Sequence, residues 1–191
     1  MSHKPLILVT NDDGITAPGI RALVEAVAPL GEVVVVAPDS PQSAMGHAVT
    51  ISKPLRLDKI RSAIYGGLKA YQCSGTPADC VKLAVSKVLH RKPDLLVSGI
   101  NHGSNSSINV LYSGTMSAAM EGGIEGIQSV GFSLLDFSYD ADFTYAKKVA
   151  RIVSENILKN GMPGGTLLNV NIPKGKEEEM KGIKSVPSGK S

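Results

Sequence analysis

The chain has 191 residues, 42% hydrophobic and 19% charged, which is enough for one well-buried core and too little for two full domains. Its formal net charge is only +3, its basic residues are scattered, and its aromatic content is 4% with no Trp, so neither a nucleic-acid face nor a base-stacking platform is indicated. No apolar run approaches the ~20 residues that span a bilayer, and Leu6 to Val9 is too short for a signal-peptide core, so a soluble cytoplasmic protein is expected.

In chain order, Leu6 to Thr10 is a continuous apolar run, expected of a strand covered on both faces. A helix follows, with Thr16 as its expected cap, Pro18 in its first turn and Ile20, Leu23, Val24 and Val27 at helical spacing. Pro29 and Gly31 stop it. Val33 to Ala37 is a second buried strand, and Pro38-Asp39-Ser40-Pro41 opens a loop at its carboxyl end. Ala48 to Leu68 is less periodic and predicts a small hairpin-like excursion from the main sheet. A short strand from Ala70 to Cys73 leads to Thr76-Pro77, where a second helix begins with Val81, Ala84, Val85 and Val88 at helical spacing. Thr76 and Asp79 form an expected capping box. Cys73 and Cys80 fit no metal or redox motif and read as buried free thiols.

Asp94 to Ser98 is a further strand, followed by a long Gly-, Asn- and Ser-rich loop from Gly99 to Tyr112. Loops of that length inside a compact domain are usually functional. A helix from Ser113 to Gly126, a strand from Val130 to Leu135, a helix through Ala146, Val149, Ala150 and Val153, and a strand from Leu167 to Asn171 complete the pattern. Alternating strands and helices predict a Rossmann-like, three-layer α/β/α fold with a mostly parallel sheet, and ligands bind such sheets outside the carboxyl ends of the strands.

Asp12 and Asp13 follow the first strand directly and precede Gly14. Two adjacent carboxylates repel one another, and a hard cation such as Mg²⁺ or Mn²⁺ relieves the repulsion. Asn11-Asp12-Asp13-Gly14 is equally a composition that favours a solvent-exposed turn. Two more polar loops sit after likely central strands. One offers Asp39, Ser40, Gln42 and Ser43, and the other Ser98, Asn101, His102, Asn105 and Asn109. Tyr112-Ser113-Gly114-Thr115 opens a helix whose amides can hold a phosphate, or is an ordinary Ser or Thr cap. His47 and His102 are candidates to bond substrate or relay a proton. Glu121 and Glu125 read as a solvated helix face.

Five ordered motifs carry a resemblance to a known family. They are Val9-Thr10-Asn11-Asp12-Asp13-Gly14, Ala37-Pro38 through Gln42-Ser43, Ser74-Gly75-Thr76-Pro77-Ala78-Asp79-Cys80, Ser98-Gly99-Ile100-Asn101-His102-Gly103, and Tyr112-Ser113-Gly114-Thr115 through Glu121-Gly122. Together they resemble the SurE family (survival protein E), metal-dependent 5′/3′-nucleotidases. The resemblance implies a SurE-like fold in which Asp12, Asp13, Ser43 and Asn101 ligate one divalent cation per subunit, Mg²⁺ or Mn²⁺. It also implies that Asp12 and Asp13 are catalytic, and that Asn101, Ser113, Gly114 and Thr115 bind the substrate phosphate. The implied activity is hydrolysis of nucleoside monophosphates, by a homodimer or a dimer of dimers. A non-catalytic nucleotide-binding or oligomerisation module that keeps the fold is the competing expectation. Residues 1–184 are read as the single domain. The resemblance fades after Lys184, so residues 185–191 are expected to be a low-complexity or altered terminus.

Overall fold

The computed structural model describes residues 4–42, 46–60, 63–105, 110–138, 140–175 and 177–187. Its strands are β1 (Leu6–Thr10), β2 (Glu32–Pro38), β3 (Leu57–Ile60), β4 (Lys69–Cys73), β5 (Leu95–His102), β6 (Ser129–Leu135) and β7 (Leu168–Pro173). Its helices are α1 (Pro18–Val27), α2 (Pro77–Leu83), α3 (Gly114–Ile124) and α4 (Thr144–Asn160). The strands form one sheet in the order β3-β4-β2-β1-β5-β6-β7, parallel throughout except for β3.

Side chains alternate across this sheet because the strand period is two. Ile7, Val9, Val33, Val35, Leu95 and Val97 point to the face covered by α1 and α4, while Leu6, Leu8, Val34, Val36 and Leu96 point to the face covered by α2 and α3. Both faces are therefore dry, and the unbroken apolar runs of β1 and β2 follow from that.

The expected hairpin takes the form of β3 paired antiparallel to β4, with Leu57 opposite Cys73 and Ile60 opposite Ala70, at the edge of the main sheet. The Thr76 cap holds: its hydroxyl accepts from the Asp79 amide at 3.2 Å, and the Asp79 carboxylate accepts from the Thr76 amide at 3.0 Å. The Thr16 cap does not. Ala17 occupies the N-cap position of α1 with no side-chain hydrogen bond, and Pro18 fixes the first turn instead. The second helix is also split, with α2 ending at Leu83 and a π turn continuing over Ala84–Val88.

The helices fix the topology. Strand β1 is followed by α1 and β2 on one side of it, whereas α2, α3 and α4 each carry the chain in the opposite direction along the sheet. α1 and α4 nevertheless share a face. Three crossovers thus have one hand and β6–α4–β7 has the other, and given the strong preference for right-handed crossovers β6–α4–β7 is the left-handed one. With α4 on the far side, the α3 face of β7 is covered by the loop after β5. Asn105 donates its amide to Asn171 Oδ1 at 3.0 Å and accepts at its carbonyl from Asn169 Nδ2 at 2.7 Å.

Candidate active site

The chain direction reverses along the sheet at β1, and the carboxyl ends of β1, β2 and β5 converge there. Asn11, Asp12, Asp13 and Gly14 form the turn after β1. Gly14 takes φ +93°, a left-handed conformation that other residues resist, and Asn11 Nδ2 donates to its carbonyl at 2.9 Å. The turn is tied to the loop after β2 by Ile15 N donating to Pro38 O at 2.8 Å and Gln42 N donating to Asp12 O at 2.7 Å.

This is not a solvent-exposed turn, since Asp12 is only 4% exposed. Its Oδ1 accepts from the Thr115 hydroxyl at 2.6 Å. Burial pushes the Asp12 carboxyl above its ordinary range, and the Thr115 hydroxyl together with the amides of Thr115 and Gly114 pulls the other way. Asp13 is pushed up to about 6, chiefly by burial and then by the neighbouring Asp12 charge, with His102 opposing. Its Oδ2 and the Asn11 Oδ1 are buried without a hydrogen-bond partner among the described residues. Two crowded carboxylates with an acceptor left over are the environment that a bound cation corrects.

Gly114 abuts the pair. A Cβ at that position would lie 2.6 Å from the Asp12 Cβ, so the start of α3 reaches the carboxylate only because the residue is Gly. Of the Ser cap and the phosphate cradle expected here, the structure shows the cap, which leaves the cradle open. Ser113 Oγ accepts from Met116 N at 3.1 Å, as a cap does, and its hydroxyl proton remains available to donate.

β5 runs on to His102, so Gly99 to His102 is strand rather than loop, with a shift of register against β6 between Ser98 and Asn101. That irregularity places Asn101 at the strand end. Its Nδ2 faces the carbonyls of His102 and Gly103, at 3.1 and 3.4 Å, and Asn105 Oδ1 at 3.4 Å, which assigns the nitrogen to that side and the amide oxygen to the other. Asn105 is 3% exposed and donates to Ser133 Oγ at 2.5 Å. Ser43, and Asn109 of the second polar loop, lie outside the described residues.

The structure therefore gathers Asp12, Asp13, Gly114 and Thr115 into one crevice, adds Ser113 at its helical wall, and sets Asn101 at the end of adjacent β5. Among the described residues no group of three or more His, Cys, Asp or Glu forms a metal cage, but two carboxylates with amide and hydroxyl oxygens are a donor set suited to a hard cation that keeps water. A cavity of about 190 Å³ at the ends of β6 and β7, lined by Leu134, Asp136, Tyr145 and Lys174 among others, contains none of these residues.

The solvated face expected of Glu121 is a correction. Glu121 is 3% exposed, with Lys82 Nζ 2.9 Å from one carboxylate oxygen and His47 Nε2 2.8 Å from the other. Spacing along α3 could not show this, because both partners come from other parts of the chain. Cys73 and Cys80 are buried and free, as expected.

Fold and geometry together define the class: a doubly wound α/β domain with a buried acidic turn packed against a helix start where its topology switches. Within that class the chain belongs to the SurE family, since the family model described as survival protein SurE matches residues 7–191, a span that includes the last seven residues. It is 67% identical over 181 residues to the 5′-nucleotidase SurE of Christiangramia forsetii, covering 95% of this chain and 70% of that one. To the 5′-nucleotidase SurE of Bacteroides thetaiotaomicron it is 51% identical over 183 residues, covering 96% and 69%. The crystal structure of the SurE protein from Aquifex aeolicus superposes with a TM-score of 0.85 at 45% identity, over 94% of this chain and 71% of that one. No helix among the described residues is long and apolar enough to cross a membrane.

Proposed function

We propose that the chain is a divalent-metal-dependent phosphatase that hydrolyses nucleoside monophosphates to nucleoside and inorganic phosphate. The carrying observation is the contact between Asp12 and the start of α3: the more buried carboxylate of the pair touches a helix end, whose amides are a favourable place for a phosphate. The curated relatives at 67% and 51% identity, both named 5′-nucleotidase, support the substrate class.

In this reading Asp12, Asp13 and Asn101, with Ser43, hold one Mg²⁺ or Mn²⁺. When bound, the cation supplies Lewis-acid polarisation of the phosphoryl group and eases ionisation of a water nucleophile. The chain's own residues do the rest. Thr115 holds Asp12 in one orientation through its hydroxyl. The Ser113 hydroxyl accepts from Met116 N and can donate to a phosphate oxygen at the positive end of α3. The backbone amide of His102 lies close enough to Asp13 to favour its carboxylate, partly offsetting the burial that raises it. The same family reading implies a homodimer or a dimer of dimers, which solution mass measures.

Release of inorganic phosphate from nucleoside monophosphates, with and without a chelator, tests the activity. Asp12→Asn and Asp13→Asn should each lower metal-dependent turnover by about 100-fold or more. Full metal-dependent turnover in both variants would overturn the assignment.

A further inference from the structure

Five residues after β2 play no part in the mechanism above, yet the structure spends two buried carboxylates on them. The segment Gly46 to Thr50 forms a strap across the α2 and α3 face. Asp79, 2% exposed on α2, accepts from Thr50 N at 3.0 Å and from the Thr50 hydroxyl at 2.7 Å. The Thr76 hydroxyl donates to Ala48 O at 2.7 Å. On α3, Glu121 pairs with His47 Nε2 at 2.8 Å. The Asp79 grip is more than its capping box requires, since the box uses only the Thr76 hydroxyl and amide.

The residues at either side of positions 43–45 contact the site and its approach. Upstream of the strap, Gln42 N donates to Asp12 O. At its start, Gly46 lies against the carbonyl of Leu111, where a Cβ would come within 3.4 Å, two residues before the Ser113 that caps α3. One short stretch of chain therefore touches the carboxylate turn, the approach to the phosphate helix, α2 and α3.

We propose that Asp79 and Glu121 are positioning residues of the metal site, which hold His47 and Thr50 of the strap and thereby fix the Asp12 turn and the loop after β2 for cation binding. The inference rests on the metal-site reading above. Lys82 serves as the internal contrast. It pairs with the same Glu121, at 2.9 Å, but from α2, so its loss leaves every tie to the strap in place.

Mn²⁺ binding to the whole chain, measured by calorimetry without nucleotide, tests this directly, with thermal melting of the metal-free protein recorded in parallel. The variants are His47→Ala with Thr50→Val, the milder His47→Gln, whose amide nitrogen can still reach Glu121, and Lys82→Met. The first should weaken Mn²⁺ binding by about 10-fold or more, as loss of supporting contacts to metal ligands does. His47→Gln should stay within about 3-fold of the parent protein, and Lys82→Met should bind Mn²⁺ unchanged even where its melting temperature falls. If the double variant does not fold, the single variants His47→Ala and Thr50→Val carry the same expectation at reduced size. Parental Mn²⁺ affinity in the folded His47→Ala, Thr50→Val double variant, or in both of its single variants if the double does not fold, overturns the inference. Asp12→Asn separates the two levels: if it too keeps parental affinity, the metal site itself is misassigned, and if it alone loses affinity, only the positioning role falls.

Discussion

At the residue scale the site depends on what is missing from Gly114 as much as on what Asp12 brings. The ideal Cβ of an alanine at 114 would meet the Asp12 Cβ at 2.6 Å, well inside contact distance, and both partners are buried. Gly114→Ala should push α3 off the carboxylate, break the Thr115 hydroxyl bond to Asp12 and cost about 1–3 kcal/mol of stability through overpacking. Denaturant unfolding gives the cost, and phosphate release in the same preparation should fall far more than stability does. This contact was invisible in the sequence because Asp12 and Gly114 are 102 positions apart. What could be read there was composition: paired carboxylates followed by Gly announce a tight acidic turn, and Ser113 announces a helix start. Whether that turn was a surface feature or a site was left open, and the burial of Asp12 excludes the surface-turn reading.

At the scale of single elements, legibility followed local periodicity. β1, β2, β6 and α4 were readable from continuous or helically spaced apolar residues, which report burial without needing to know the partner. β5 runs four residues past the expected end at Ser98: Gly99 and Asn101 look like loop in sequence, and its extension depends on pairing with β6. α3 misled for the opposite reason. It is packed on nearly all sides, so a charged residue at helical spacing did not mean solvent. The ends of β6 and β7 show what tertiary electrostatics adds. Asp136 is held at about 2 by the Ser138 hydroxyl and amide and then by Lys174 Nζ at 3.1 Å. Its folded value lies below its unfolded 3.8, so the stabilisation is fully present above about pH 4 and is lost as pH falls toward 2. The melting-temperature advantage of the parent protein over Asp136→Asn should therefore be constant from neutral pH to about pH 5 and shrink below pH 4. An advantage that persisted undiminished to pH 2.5 would contradict the linkage.

For the molecule as a whole, alternating strands and helices were enough to foresee a three-layer sheet, but not the hand of its last crossover. Nothing in the spacing of α4 says which face it will take, because its apolar stripe fits either. That choice has a kinetic consequence. Among the described residues β7 is paired on one side only, to β6, and its α3 face is closed by Asn105 rather than by a packed helix. Amide hydrogen exchange should therefore divide the sheet unevenly. β1 and β5, flanked on both sides, should exchange only through global unfolding, while β7 and the stretch Gly103 to Asn105 should open together at lower free energy. Asn171→Ala should speed exchange in that stretch by about 10-fold and leave β1 unchanged, as expected if the two form one opening unit. Equal protection across all seven strands would show that the loop closes the sheet as firmly as a helix. The left-handed β6–α4–β7 crossover thus sets which part of the molecule opens first: β7 and the stretch Gly103 to Asn105 that follows Asn101, ahead of the carboxylates after β1.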